Sequence, residues 1–151
     1  MKRAGASSLS LPGINIQAPW AELILSGEKQ IETRTYCLPK KYIGKPLAII
    51  ETPGSNANFK ARIIGIAVFG ESIQYDSRNS FIKDFDLHLV ESTHLLFGWK
   101  ATKEKWGWPV TVAYKLDEHS NPPRPRGIVF CNECVIPIKL LSTAALKDFL
   151  T

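Results

Sequence analysis

The chain is poor in the residues that build covalent or metal frameworks: three cysteines and three histidines in 151 residues. Cys131 and Cys134 have the spacing of half a zinc site, but a structural zinc takes four ligands. The remaining Cys37, His88, His94 and His119 are scattered without paired spacing. A redox C-x-x-C wants a strand-to-helix setting, whereas the flanks of Cys131 and Cys134 read as strand on both sides. No metal and no cofactor is therefore expected. Long apolar runs are missing too. The stretch from Ile63 to Phe69 is strand-sized, whereas a membrane-spanning helix needs about 20 apolar residues. The basic start Met1-Lys2-Arg3-Ala4 has no apolar stretch behind it, so no signal peptide is expected. Reduced thiols and a cytoplasmic location follow as expectations. Acidic residues are outnumbered, 14 against 19 Lys and Arg, for a formal charge of +5. That balance favours polyanionic partners. Repeats and low-complexity tracts are absent, so one domain is the default for this length.

The densest signal lies in residues 17–36, Q-A-P-W-A-E-L-I-L-S-G-E-K-Q-I-E-T-R-T-Y. Pro19 suits the first helical position, where its missing N–H costs nothing. Trp20, Leu23 and Ile24 fall at i, i+3 and i+4, one apolar stripe that predicts a largely buried Trp20. Gly27 stands where a left-handed C-cap belongs. The period then changes to two. Gln30, Glu32, Arg34 and Tyr36 share one face of a strand, and Ile31, Thr33 and Thr35 share the other. Glu32 and Arg34 are then about 7 Å apart, with Lys29 at the turn before them. Such a face is either a solvated strand with an i, i+2 ion pair or the polar floor of a ligand cleft.

The segment resembles the signature of the ASCH family, a branch of the PUA-like RNA-binding superfamily. Members open a short helix with Q-P-W-A or Q-P-Y-A and enter the next strand with G-x-K-x-(I/V)-E-x-R. Here Q-A-P-W-A spans residues 17–21, with one extra residue between Gln17 and Pro19, and G-E-K-Q-I-E-T-R spans residues 27–34. The resemblance runs from about Ile14 to Ile50 and, less specifically, toward Phe130.

Elsewhere the pattern predicts short strands. Residues 14–17, 47–51, 110–116, 127–130 and 135–138 read as strands, with Pro137 marking an edge. Residues 63–69 are apolar on both faces, as in a strand buried on both sides, and Gly65 within them suggests a bulge or tight corner. A helix is expected over residues 80–90, with His88 on its face rather than acting as a ligand. Another is expected over 143–150, capped by Ser142. Residues 1–12 are expected to be flexible and residues 13–151 to form the single ASCH/PUA-like domain. These elements predict an α+β fold: a mixed, partly closed β-barrel with flanking helices, which is what a PUA-like resemblance implies.

Two functions are compatible with the segment. One is binding of RNA or a nucleoside. Lys29 and Arg34 would meet phosphate or base edges, and Trp20 or Trp108 would stack on a base. Glu32 would accept from an exocyclic amine or position the two cations. Glu51, Tyr114 and the Trp106–Trp108 loop would form walls. The cationic loop 37–46, with Lys40, Lys41 and Lys45, is either a solvated connection or a phosphate contact. Lys100, Lys103 and Lys105, interleaved with Phe97, Trp99 and Trp106, suit single-stranded nucleic acid unless the rings are core. The other function is hydrolysis. The resemblance implies it because some small ASCH proteins are amidohydrolases of N4-acetylcytidine and ribonuclease activity is ascribed to others. The amidohydrolase pattern has a Thr three residues after its Lys. Here Glu32 occupies that place, so Glu32 would serve as base and Lys29 as stabiliser of developing charge. The resemblance and the composition together favour binding.

Overall fold

The structure is a computed structural model, and it describes residues 2–3, 7–54, 58–124 and 127–150. Eight strands are present among these residues: β1 (Lys2–Arg3), β2 (Ser8–Gln17), β3 (Ile31–Arg34), β4 (Pro46–Thr52), β5 (Arg62–Phe69), β6 (Ile73–Gln74), β7 (Trp106–Ser120) and β8 (Phe130–Pro137). They form one mixed sheet in the order β1-β2-β4-β5-β7-β3, with β8 added on β2 and β6 on β7. β2 and β4 run parallel, and the other pairings are antiparallel. The helices are α1 (Trp20–Ser26), α2 (Arg78–Lys83), α3 (Phe85–His88) and α4 (Thr143–Leu150).

The central strands are buried on both sides because their apolar residues do not alternate with polar ones. On β4, Ala48 and Ile50 join one cluster with β8 and α4. Leu47 and Ile49 join another with α1 and Trp108. β5 divides in the same way, with Ile63 and Ile66 on one side and Ile64 and Ala67 on the other. The β5–β7 register shifts between Ile63 and Gly65, so the glycine marks a bulge. Leu25 of α1 and the Tyr114 carbonyl both press on the place where a Cβ at Gly65 would stand. Gly65→Ala is therefore expected to cost about 1–3 kcal/mol through overpacking. A urea midpoint equal to that of the wild type would remove α1 from this contact.

Several boundaries differ from those the sequence predicts. The expected flexible segment 1–12 is strand from Ser8 onward, with Leu9 and Leu11 buried. Both edges of β2 find partners there, in β8 and β1, which local periodicity does not reveal. Met1 and residues 4–6 lie outside the described residues. The expected helix 80–90 is two short helices. Ser77 caps the first with a capping box. Asp84 then leaves helical geometry, and its carboxylate accepts from the Tyr75 hydroxyl at 2.8 Å. The two late strands are one, Phe130–Pro137, bent where the β2–β8 register shifts between Leu11 and Gly13. In α4, the Ser142 hydroxyl accepts from the Ala145 N–H at 3.2 Å, as the sequence predicts.

The sheet is open among the described residues: no ladder joins β3 to β2 or β8. Arg34 of β3 donates to the Asn15 carbonyl of β2 at 3.0 Å, and Phe130 of β8 stacks on both Trp108 of β7 and Tyr42. Among the described residues no helix is long and apolar enough to cross a membrane.

Candidate functional site

A cleft of about 1230 Å3 opens where α1, β3 and the end of β2 meet. Lys29, Glu32 and Arg34 lie at its floor, with Thr33 at the border. One side carries Trp20 and Phe97, and residues 52–53, 59–61, 121–124 and 127–128 also line it. The volume exceeds the roughly 300–1,000 Å3 of ordinary small-molecule sites, which leaves room for an extended ligand.

Local chain geometry brings the three charges together. Gly27 takes the left-handed C-cap conformation, φ 85°, and ends α1. The chain then turns back, with the Lys29 N–H donating to the Leu23 carbonyl at 2.9 Å, and enters β3. On β3, Glu32 and Arg34 share a face, as period two requires. That face is not solvated: Glu32 is 5 % exposed and Lys29 1 %.

The carboxylate of Glu32 is held by three hydrogen bonds and an ion pair. Oε2 accepts from Arg34 Nε at 3.1 Å and from Nη2 at 3.0 Å. Oε1 accepts from the Thr33 N–H at 3.2 Å and lies 3.8 Å from Lys29 Nζ. Three hydrogen bonds and one longer ion pair thus hold a carboxylate that has roughly four lone-pair sites. Lys29 also donates to the His88 carbonyl, at the C-terminus of α3, where partial negative charge suits a cation. Its ammonium lies 4.9 Å from the centre of the Trp20 ring. His88 is itself locked. Its Nδ1 accepts from the Val90 N–H at 3.0 Å, so Nε2 carries the proton toward the Phe81 carbonyl at 2.7 Å. Burial first, and then the Lys29 charge, hold this imidazole below its ordinary range. It is a core histidine.

Burial disfavours the Lys29 cation and outweighs the attraction of Glu32, so its pKa falls from 10.5 to about 8. Burial also opposes the Arg34 cation, but Glu32 more than compensates, and the guanidinium stays above its ordinary value. The Lys29 shift has a signed consequence. Between pH 8 and 10.5 the unfolded chain holds a proton at Lys29 that the folded chain has released, so stability rises with pH across that window. Below pH 8 both states are protonated and the penalty of burying the charge is fully present. The wild type is expected to gain about 3 kcal/mol relative to Lys29→Met between pH 8 and 10.5. Urea melts of both proteins at several pH values check this, and a constant difference would place Lys29 in a solvated setting.

Three residues expected at the cleft lie elsewhere. Trp108 is 0 % exposed. It stands opposite Glu32 in the β3–β7 ladder, donates from Nε1 to the Tyr36 carbonyl at 3.0 Å, and supports the Arg34 guanidinium 5.4 Å from its ring. It is core beneath the floor, not a free stacking surface. Tyr114 shares a face of β7 with Val112 and Leu116, and that face meets α4. Its hydroxyl donates to Asp148. Glu51 is buried and pairs with Arg62 at 3.0 and 2.9 Å. Arg62 in turn lies 4.1 Å from the Phe59 ring, so Glu51 sits behind the cleft wall beside Thr52 and opposite Ile16 rather than lining it.

Trp20 is half-buried rather than fully so. It lines the cleft and meets His94 and Phe97 edge-on, at 6.2 and 6.4 Å. Thr33 also borders the cleft, although its side of the strand was expected to face away. Of the cationic stretch 100–105, Lys105 is buried and donates to the Phe97 carbonyl at 3.0 Å. Trp99 and Phe97 pack on the Tyr75–Phe81–Val90 cluster. These rings are chiefly core. The sequence did not single out Phe59, Lys60, Asn121 or Arg124 as cleft residues, because they come from loops far from the motif. Gln17 did carry a signal: it is the first residue of Q-A-P-W-A. Its side chain occupies the place of a Cβ at Gly54, whose φ of 69° also favours glycine.

Among the described residues no group of three or more His, Cys, Asp or Glu side chains is placed to hold a metal ion. Cys131 and Cys134 are buried thiols in β8 and Cys37 is exposed.

These features define an α+β domain with an open mixed sheet and a cleft floored by buried charges. No protein-family model matches the sequence, and no curated protein does. Solved structures do match. The chain is similar to the ASCH protein of Zymomonas mobilis, with a TM-score of 0.56 and 15% identity over 92% of both chains. A serine-to-alanine variant of that protein gives 0.59 and 15%, over 92% of this chain and 93% of that one. A tyrosine-to-phenylalanine variant gives 0.55 and 16%, over 92% and 95%. The protein has an ASCH-domain fold.

Proposed function

We propose that the protein binds single-stranded RNA, or a nucleoside unit of it, in the cleft. One observation carries this reading: a buried Lys29–Glu32–Arg34 cluster with one net positive charge lies under the half-buried ring of Trp20. Lys60 and Arg124, both exposed, add cations at the rim. An unstacked base recognised by a ring and by edge donors is the usual mode for RNA. In this reading Trp20, with Phe97 and Phe59 nearby, supplies the apolar face. Arg34 and Lys29 supply donors to base or phosphate. Glu32 positions those two cations, since it pairs with both. The fold supports the same reading: contacts across the β3–β2 gap fit a partly closed, PUA-like barrel whose gap is filled by side chains.

The test is a titration with short unstructured RNA at several salt concentrations. The slope of log affinity against log salt is expected to be about −0.7 per phosphate contact. Trp20→Ala is expected to weaken binding by about 1–3 kcal/mol, the contribution of one stacked base. No measurable binding by the wild type would overturn the proposal, and a flat salt response would restrict it to an uncharged nucleoside.

A second reading, hydrolysis of RNA or of a modified nucleoside such as N4-acetylcytidine, is favoured by the lowered pKa of Lys29 beside a carboxylate. Perturbed lysines of this kind recur at reactive sites. Binding is preferred because three hydrogen bonds and the Lys29 ion pair already hold the Glu32 carboxylate, which leaves it little acceptor capacity for the water that a general base must reach. Single-turnover assays on N4-acetylcytidine and a short RNA separate the two.

A further inference from the structure

The cationic loop 37–46 does not line the cleft. Two of its lysines border a second depression of about 310 Å3, formed by Lys41, Tyr42 and Lys45 with Pro12 of β2, Pro46 and Asn132 of β8. Both lysines are exposed, and no acidic side chain lines the depression. Neither lysine belongs to an ion pair among the described residues. The Lys41 ammonium lies 5.0 Å from the centre of the Tyr42 ring. The loop is held by its backbone: the Gly44 N–H donates to the Phe69 carbonyl at 2.9 Å, and the Lys45 N–H donates to the Tyr42 carbonyl at 3.1 Å. The cations therefore stand on a fixed scaffold.

The depression and the cleft are joined structurally. Arg34 of the cleft floor lies over Trp108. Trp108 stacks on Phe130 at 6.3 Å, and Phe130 stacks on Tyr42 at 4.4 Å. A file of rings thus runs from the floor of the cleft to the depression. Both also border β2: Asn15, Ile16 and Gln17 at the cleft, Leu11 and Pro12 at the depression. The separation along β2 is about five strand rises, roughly 15 Å.

We propose that this depression is a second subsite, which takes phosphates of the same single-stranded RNA whose base occupies the cleft. The inference rests on the RNA-binding reading of the cleft. Cations without ion-pair partners or acidic lining among the described residues, flanked by the prolines Pro12 and Pro46, match a sugar-phosphate backbone. The short separation from the cleft along β2, within reach of one strand, selects RNA over an unrelated acidic chain. At a stacked rise of about 3.4 Å per nucleotide, some five nucleotides bridge the two subsites. A strand of about three nucleotides reaches one, and a strand of about twelve reaches both.

The experiment is a fluorescence titration of the wild type and the Lys41→Gln/Lys45→Gln double variant with oligouridylates of these two lengths, alongside melting curves. The double variant is expected to melt as the wild type does and to bind the short RNA equally well. It is expected to bind the long RNA on the order of tenfold more weakly at 0.1 M salt, with a salt slope shallower by about 1.4. Equal affinity of the two proteins for the long RNA overturns the subsite and leaves the cleft reading standing. Failure of the wild type to bind either RNA overturns both. Tighter binding of poly-aspartate than of the long RNA, lost in the double variant, assigns the depression to an acidic polypeptide and overturns the proposal.

Discussion

Glu32→Gln is expected to lower stability by about 3 kcal/mol. The carboxylate sits between two cations, 3.0 Å from Arg34 Nη2 and 3.8 Å from Lys29 Nζ, and is almost wholly buried. Removing one partner of a buried ion pair costs about 3–5 kcal/mol, because the charge left behind has lost its compensation. The lower end applies here because Lys29 can release its proton; its pKa is already down to about 8 and should fall further without Glu32. Arg34 keeps its charge and its bond to the Asn15 carbonyl. The amide keeps the shape of the carboxylate but points an NH2 group at existing donors. Denaturant melts and a lysine-resolved NMR titration check the prediction. A loss below about 0.5 kcal/mol, the usual range for surface substitutions, would mean that the three charges are solvated.

The same variant divides the two functional readings. If Glu32 only orients the cations, RNA affinity stays the same or rises slightly, since a repulsive charge has gone. If Glu32 is a general base, binding is nearly intact and turnover falls by about 10²–10⁴-fold. Wild-type turnover on N4-acetylcytidine or RNA, abolished by Glu32→Gln, would sink the pure binding module.

Trp108→Ala is expected to cost about 3–5 kcal/mol, the range for deleting a fully buried aromatic side chain. The indole is packed by Phe69, Tyr36 and Phe130 and its Nε1 bond satisfies the Tyr36 carbonyl. Trp108→Phe keeps a ring in the file and mainly removes that bond, for about 1 kcal/mol. Since Trp108 does not reach the cleft surface, Trp108→Phe should leave RNA affinity unchanged while Trp20→Ala lowers it. Comparable losses of affinity in the two variants, at comparable stability, would make Trp108 a ligand contact after all.

What the sequence determined by itself was local. The stripe and stop of α1, the left-handed Gly27 and the shared face of Glu32 and Arg34 follow from periods of 3.6 and 2 and from the backbone freedom of glycine; Pro19, expected at the first helical position, stands instead at the N-cap. The two-sided burial of β5 was legible from its unbroken apolar run, and α4 from its stripe and its serine cap. Only the tertiary structure decided depth and neighbourhood. A period of two cannot say whether a polar face meets water or a cleft, so the burial of Lys29 and Glu32 depended on α3 and β7 closing over them. The same limit misplaced Glu51, Trp108 and Tyr114. Each has a side chain suited to a site, but Arg62, the Tyr36 carbonyl and Asp148 had already engaged their polar groups. Those partners lie 11, 72 and 34 residues away along the chain, and pairing at such range is set by which strands become neighbours, a choice that no local pattern encodes.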